Sequence, residues 1–147
     1  GSGKFNKSHR QLFNKFLAAL DIKASELNTY KLLPETSTCV ETLLDICKNN
    51  HYLESLGALG PGTEFFTNEE YEIIFNGLSK SPYLTIRDLK FWQVHISLDV
   101  EHYSEMVEIL YPYVNDENNC KMIREGAIKA IQLEQLFWDG LERNLPA

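Results

Sequence analysis

The sequence predicts an all-α helical bundle. Apolar residues recur at spacings of three and four along most of the chain, strand-like alternation is absent, and prolines fall mainly between the periodic segments. The chain has 147 residues, 44% of them hydrophobic. That length and composition suit one ordinary globular domain, so residues 1–147 are predicted to form a single helical domain.

The first two helices are predicted from their apolar stripes and from one cap. The first runs from about Lys4 to Leu20, and its stripe is predicted to face the core. The second is predicted to begin at Thr38, because Thr38 and Glu41 have the spacing of a capping box, and to end near Asn49. The stripe of the first helix consists of Leu12, Phe13, Phe16, Leu17 and Leu20.

A glycine-rich stretch interrupts the third helical segment. From His51 onward we expect a helix that is kinked near Pro61, because proline removes a backbone donor and clashes with the preceding turn. The helix is predicted to resume at Glu64 and to continue to Leu78. The sequence Ser-Lys-Ser-Pro, which ends at Pro82, marks a clear break.

Two long helices complete the predicted bundle. Thr85 is predicted to cap the first of them, with Asp88 as its box-like partner, and that helix extends to about Tyr111, where a proline follows. The last helix is predicted over about Asn115 to Arg143. No repeat of twenty to fifty residues is present, so a solenoid is not predicted.

Composition excludes several classes of protein. The formal net charge is −7, which would repel a phosphate backbone, so no nucleic-acid partner is expected. No apolar run reaches the roughly 18 residues of a membrane span, and the amino end lacks the apolar stretch of a signal peptide. Three cysteines without zinc-binding spacing are expected to be buried and reduced. These observations predict a cytoplasmic protein.

The most informative pattern is His-x3-Asp-x2-His at His95, Asp99 and His102. In a helix these residues fall within about 60° of arc, in the apolar stripe that should face the core. Burying three polar groups costs several kcal/mol unless something compensates them, and a divalent metal ion would compensate all three together. The alternative is that each is a hydrogen-bonded core residue, which we would favour for either histidine alone.

Two further residues are candidate metal ligands. Glu64 precedes two phenylalanines and follows the glycine-rich stretch, although it could also be an exposed carboxylate at a helix start. His9 has helical spacing with the first apolar stripe, and is predicted to face inward. His51 lacks such neighbours and is interpreted as a helix-end or surface histidine.

The chain resembles the haem-oxygenase-like diiron oxidases, also described as iron-containing redox enzymes. Three patches carry the resemblance: His9 with the apolar stripe after it, the run Leu56–Glu64, and the segment from Phe91 to His102. The resemblance implies a haem-oxygenase-like bundle that binds two irons and uses dioxygen to oxidise small molecules, such as amino acids and fatty acids. It also implies that the ligands are His9, Glu64, His95, Asp99 and His102.

One feature departs from the family pattern. The family's first core helix also supplies a carboxylate upstream of its histidine, whereas residues 1–9 contain no Asp or Glu. We therefore expect this chain to be the carboxy-terminal part of a longer domain. A homodimer or a complementing amino-terminal segment would then complete the site.

The resulting hypothesis is a non-haem oxidase or oxygenase with two Fe(II) ions, which acts on a small metabolite; manganese is the alternative metal. Dioxygen and this metabolite are the expected partners. Aromatic side chains are expected to line its pocket. One alternative is a self-modifying oxygenase that oxidises its own Tyr71 or Tyr103, and another is a non-enzymatic helical binding module whose histidines are only structural. The predicted pocket residues are Phe65, Phe91, Trp92 and Tyr103.

Overall fold

A computed structural model describes residues 8–23 and 25–145, without the side chains of Asn28, Asp99 and Val100. Those residues contain α-helices, short 3-10 turns and one π-helical turn, and no β-strand. The all-α prediction is confirmed. The α-helices are α1 (His9–Ala19), α2 (Pro34–Asn49), α3 (Tyr52–Leu59), α4 (Phe65–Leu78), α5 (Lys90–Leu110) and α6 (Glu117–Arg143).

A capping box starts α1. Ser8 is the N-cap: its hydroxyl accepts from the Gln11 backbone N–H at 3.3 Å, while the Gln11 side chain accepts from the Ser8 N–H at 2.9 Å. The predicted start at Lys4 lies outside the described residues. The helix ends at Ala19, and Asp21 follows with a φ of 58°, in the left-handed region that stops a helix.

Two predicted helix starts are wrong. Helix α2 begins at Pro34, four residues before Thr38, and its N-cap Leu33 makes no side-chain cap. Proline suits the first helical position because its φ is already helical and its missing N–H would have no helical partner there. Thr85 does accept Asp88 as a partner, since its N–H lies 2.9 Å from Asp88 Oδ2. However, a turn follows that pair, and α5 begins only at Lys90.

The other helix boundaries agree more closely with the prediction. His51 is the N-cap of α3, where its Nδ1 accepts from the Leu53 N–H at 3.3 Å, so its interpretation as a helix-end histidine is confirmed. Asp116 caps α6 through the Asn119 N–H at 2.9 Å. The 3-10 turns cover Leu27–Thr29 and Tyr111–Tyr113.

The chain divides into two compact units. The first unit comprises the described residues up to 31 together with 67–98, and the second comprises 32–66 together with the described residues from 99. Two of the three boundaries fall inside α4 and α5, and the third lies just before α2. A single domain over residues 1–147 remains a prediction.

The first unit has an aromatic core. Phe16 meets Trp92 at 5.5 Å between ring centroids, and Phe13 meets Phe91 at 5.0 Å. These contacts join α1 to the start of α5, and a hydrogen bond of 3.1 Å from Lys15 to the Arg87 carbonyl adds to them. The buried apolar side chains of this unit are Leu12, Phe16, Leu17, Leu89 and Val94.

The second unit is built around the pairing of α3 with α6, and α2 packs on both. Two glycines allow this pairing to be close. A Cβ at Gly57 would overlap the Ile123 carbonyl, and a Cβ at Gly126 would overlap the Glu54 carbonyl. Only glycine permits such an approach of two backbones. The main buried cluster is Cys39, Ile46, Ala58, Ala130 and Leu133.

The three cysteines are free thiols, but they are not all buried. Cys39 is buried, Cys120 is half-buried and Cys47 is exposed. The prediction that all are buried is therefore wrong for Cys47, which lies on the outer face of α2. Among the described helices, none is long and apolar enough to cross a membrane.

Candidate metal centre

His95 lies on α5 in the first unit, half-buried among aromatic rings. Its Nδ1 is 2.7 Å from the carbonyl oxygen of Phe91, one helical turn earlier. A carbonyl can only accept, so Nδ1 carries the proton, and Nε2 of the neutral ring keeps a free lone pair. This is the usual arrangement of a metal-binding histidine, whose other nitrogen donates to a fixed oxygen.

His9 is the first residue of α1, immediately after the Ser8 cap. Its ring centroid is 4.5 Å from that of His95, with the planes at 62°. The two imidazoles predicted as ligands in this unit are therefore in contact. The prediction that His9 faces the core is wrong, because its side chain is exposed. The buried stripe of α1 starts one turn later, at Leu12, and nothing within the helix covers its first residue.

Tyr71 of α4 closes the aromatic group around His95. Its ring is perpendicular to the imidazole, with centroids 5.1 Å apart, and it contacts Trp92 at 5.3 Å. The indole nitrogen of Trp92 is buried and has no hydrogen-bond partner among the described residues. The sequence suggested Tyr71 only for the self-modifying alternative and not as a pocket residue, so its contact with His95 was not predicted.

A hollow of about 430 Å³ opens beside these rings. Most of its wall is aromatic, and its one permanently charged side chain is Arg10. Phe91 and Trp92, which the sequence predicts as pocket residues, do line it. Phe65 does not: it is 60% exposed and its ring meets that of Tyr103 at 5.2 Å in the second unit. The wall consists of His9, Arg10, Phe13, Tyr71, Phe91 and Trp92.

Glu64 ends a π-helical turn, Gly60–Glu64, between α3 and α4. The Phe65 N–H donates to the carbonyl of Gly60, five residues earlier, which is the hydrogen bond of a π-helical turn. The Thr63 hydroxyl also donates to the Ala58 carbonyl, at 2.9 Å. The predicted interruption near Pro61 is confirmed, and takes the form of this extra residue in the turn. Such π turns occur often at functional sites, because they re-aim one side chain without ending the helix.

Glu64 and His102 face each other in the second unit. Glu64 Oε2 is buried and lies 3.8 Å from His102 Nδ1. This separation is too long for a hydrogen bond. Two ligand atoms that each lie about 2.1 Å from one shared metal ion can be this far apart. About a third of the Glu64 side chain and two fifths of the His102 side chain are exposed, at 32% and 42%.

The structure thus places four predicted ligands in two pairs, His9 with His95 and Glu64 with His102. The Asp99 side chain lies outside the described residues, so its role remains a prediction. Within the described part of the chain, no three His, Cys, Asp or Glu side chains form a group that could hold a metal ion. The five-residue ligand set likewise remains a prediction.

Comparison with known proteins identifies the family. The model of the family described as iron-containing redox enzymes matches residues 1–135. This chain belongs to that family. The family membership and the helical fold confirm the predicted haem-oxygenase-like bundle, and the family supports the predicted oxidoreductase class.

Two curated relatives are similar to this member of the iron-containing redox enzyme family. One is a 4-chloro-allylglycine synthase from Streptantibioticus cattleyicolor, 28% identical over 135 residues, which cover 91% of this chain and 51% of the relative. The other is a 4-aminobenzoate synthase from Nitrosomonas europaea, 26% identical over 139 residues, which cover 94% of this chain and 56% of the relative. The chain spans about half the length of these relatives.

Sequence inspection overlooked Arg10. It follows His9 directly and lines the hollow, yet one arginine near a helix start carries no pattern of its own. The absence of any Asp or Glu from residues 1–9 could have drawn attention to it, because that absence leaves the positive end of the helix and the guanidinium without an acidic neighbour in sequence.

Proposed function

We propose that this chain supplies the iron ligands of a non-haem diiron oxidase or oxygenase, which uses dioxygen to oxidise a small metabolite. Family membership supports iron and redox chemistry. The names of the two relatives, synthases of 4-chloro-allylglycine and 4-aminobenzoate, support a small amino-acid-derived substrate; a fatty acid is the other substrate class that the sequence resemblance suggests.

The observation that carries the proposal is the fixed tautomer of His95. Because Nδ1–H donates to the Phe91 carbonyl, Nε2 is the ring nitrogen that can ligate a metal. The same hydrogen bond limits rotation of the ring, and the aromatic rings of Tyr71 and Phe91 restrict it further, with centroids at 5.1 Å and 4.3 Å. His95 is therefore already oriented for ligation.

Glu64 and His102 support the second part of the proposal. An iron ion beside Glu64 Oε2 would stabilise the charge of this carboxylate, whose oxygen is buried. One carboxylate and one imidazole also match the mixed oxygen and nitrogen ligands of non-haem iron sites. Glu64 Oε2 and His102 Nδ1 lie 3.8 Å apart, a separation at which both atoms can ligate one metal ion.

The residues would share the work as follows. His9 and His95 would ligate iron in the first unit, and Glu64, Asp99 and His102 in the second. When bound, iron would bind and activate dioxygen. The carboxylates would offset the charge of the metal, the imidazoles would fix its position, and the rings of Tyr71 and Phe91 would keep water from the faces of His95. Two Fe(II) ions are proposed, with manganese as the alternative.

The test is the iron content of the chain after anaerobic loading with Fe(II), followed by a measurement of dioxygen uptake. The unmodified chain is expected to bind iron and to consume dioxygen, and His95→Ala and Glu64→Gln to lose most of both. His51→Asn is the matched control, since it removes a histidine but keeps an N-cap acceptor. Iron content that is equal in His95→Ala and His51→Asn, with folding confirmed by circular dichroism, would contradict the proposal.

A second candidate is a self-modifying oxygenase of the same fold. The contact of Tyr71 with His95 favours it, because an oxidisable phenol lies against a proposed ligand. Intact-mass and peptide mass spectrometry of the iron-loaded chain after exposure to air would then show a changed mass at Tyr71. An unmodified Tyr71 together with turnover of an added metabolite would favour the oxidase instead.

A further inference from the structure

Arg10 lies at the rim of the hollow described above, where an exposed cation borders an aromatic wall. Its guanidinium is exposed and makes no ion pair or hydrogen bond with any described residue. Exposed arginines usually find an acidic neighbour or extend into water. Here the charge borders a hollow of about 430 Å³ whose other walls are rings.

The start of α1 adds to the positive potential at this place. Arg10 is the second residue of the helix, and no acidic residue lies in the first turn. The capping box occupies the Gln11 N–H, but the positive end of the helix still faces outward here. An anion at this rim would therefore meet the guanidinium and the helix end together.

The wall determines what the rest of a ligand must be. Phe13 and Phe91 pack at 5.0 Å, and Tyr71 and Phe91 at 6.3 Å, which gives a continuous apolar surface. Such rings favour a flat or aliphatic apolar body and offer little to a strongly hydrated one. A free phosphate would satisfy the charge but would leave the rings exposed to water.

We propose that this hollow binds a small carboxylate with an apolar body, and that Arg10 is the residue that recognises the carboxylate. The planar guanidinium can donate two parallel hydrogen bonds to a carboxylate, which a lysine cannot do. This inference rests on the proposed function in one respect: His9 lines the same hollow and its ring contacts that of His95, so the ligand would be the substrate of the proposed iron site.

The experiment uses a Trp138→Phe background, in which Trp92 is the only tryptophan left and reports on the hollow. The probes are 3-phenylpropanoate and its neutral partner 3-phenylpropanamide, titrated against Trp92 fluorescence. Each titration is made on the iron-loaded chain and on the chain stripped with a chelator, because a carboxylate can also bind iron directly. The acid is expected to bind about tenfold more tightly than the amide in the stripped chain.

Variants then assign that preference. Arg10→Gln is expected to bind the acid about tenfold more weakly and the amide unchanged, whereas Arg10→Lys keeps part of the preference. Lys23→Gln is the matched control: it makes the same charge change in the first unit, at a residue whose side chain is 78% exposed and paired only loosely with Glu26. It is expected to keep the full preference for the acid.

Three results would overturn the inference. They are equal affinity of the stripped chain for acid and amide, an unchanged acid preference in Arg10→Gln, and displacement of the acid by inorganic phosphate at similar concentration. Iron content measured on the same samples separates this inference from the proposed function. Arg10→Gln is expected to lose the preference for the acid and to retain iron. If the unmodified chain prefers the acid but binds no iron, only the proposed iron site is refuted.

Discussion

Replacing Gly62 by alanine would test how the turn before Glu64 is held in place. Gly62 lies in the π-helical turn that packs on α6. An alanine Cβ there would be 2.7 Å from the Cβ of Ala130 and 3.0 Å from the backbone of Ala127. Carbon atoms in good contact are about 3.5–4.0 Å apart, so the turn and α6 must separate by about 1 Å.

The expected cost follows from this overlap. Overpacking in a well-packed region costs about 1–3 kcal/mol, and the better helical preference of alanine returns up to about 1 kcal/mol. These two terms span about 0–3 kcal/mol, and we expect Gly62→Ala to lower the free energy of unfolding by an amount near the middle of that range, about 1–2 kcal/mol. Gly77→Ala is the matched control, because no atom lies within 4 Å of its added Cβ on α4. That control should be neutral or slightly stabilising.

Urea unfolding followed by circular dichroism measures both variants, and a double-mutant cycle tests the cause. Ala130→Gly removes the methyl group that the new Cβ meets, so the double variant Gly62→Ala/Ala130→Gly should be about 1 kcal/mol more stable than additivity predicts. Iron content measured in parallel connects the turn to Glu64: under the proposed function it falls in Gly62→Ala and not in Gly77→Ala.

Two results would refute this reasoning. If Gly62→Ala is as stable as the unmodified chain, the turn does not pack on α6 as closely as described. If the double variant shows no coupling, the contact with Ala130 is not the cause of any destabilisation. Loss of iron in Gly77→Ala as well would show that the effect on metal binding does not come from the position of Glu64.

Two further predictions concern ionisable groups in the second unit. Backbone hydrogen bonding at Glu35 and its ion pair with Arg143 hold the pKa of this carboxyl below its ordinary value of 4.5, so its stabilising effect is present above that pH and is lost as the pH falls through the folded-state pKa. Urea unfolding across acidic pH should show a flatter decline for Glu35→Gln, and an unchanged decline for Glu41→Gln, an exposed residue of the same helix; identical profiles for all three proteins would contradict this. Burial raises the pKa of the Cys39 thiol, with a further contribution from Glu134, so a thiol reagent should modify exposed Cys47 first and Cys39 only after unfolding. Equal labelling rates at the two cysteines, measured by peptide mapping, would contradict that expectation.

The helical fold could be predicted because its signals are local. Apolar spacing of three and four residues depends on neighbours within one or two turns. So do the caps that the structure shows at Ser8, His51 and Asp116, of which only His51 was interpreted from the sequence as a helix-end residue. Where two local signals competed, the prediction failed: Thr38 had the spacing of a cap, but Pro34 started the helix one turn earlier. Likewise, the hydrogen bond between Thr85 and Asp88 lies in a turn before the helix, and α5 begins only at Lys90.

The candidate site divides in the same way between local and distant information. The pattern at His95, Asp99 and His102 is visible in thirteen residues of sequence, from Phe91 to Tyr103, and the family membership that it suggested is confirmed. The exposure of His9 could not be predicted from the sequence, because an apolar stripe does not show which residues at the end of the helix are buried by other segments. The contact of His9 with His95 joins residues 86 positions apart, so no periodic pattern contains it.

The sequence by itself determined the helical class, the family and the residue types that are candidates for iron. Tertiary structure decided how those residues are presented: the contact of His9 with His95, the π turn that brings Glu64 to 3.8 Å from His102, and the aromatic hollow beside Arg10. The reason is physical. Helix formation follows from neighbours along the chain, whereas a contact, a hollow or an exposed charge depends on which distant segments pack together.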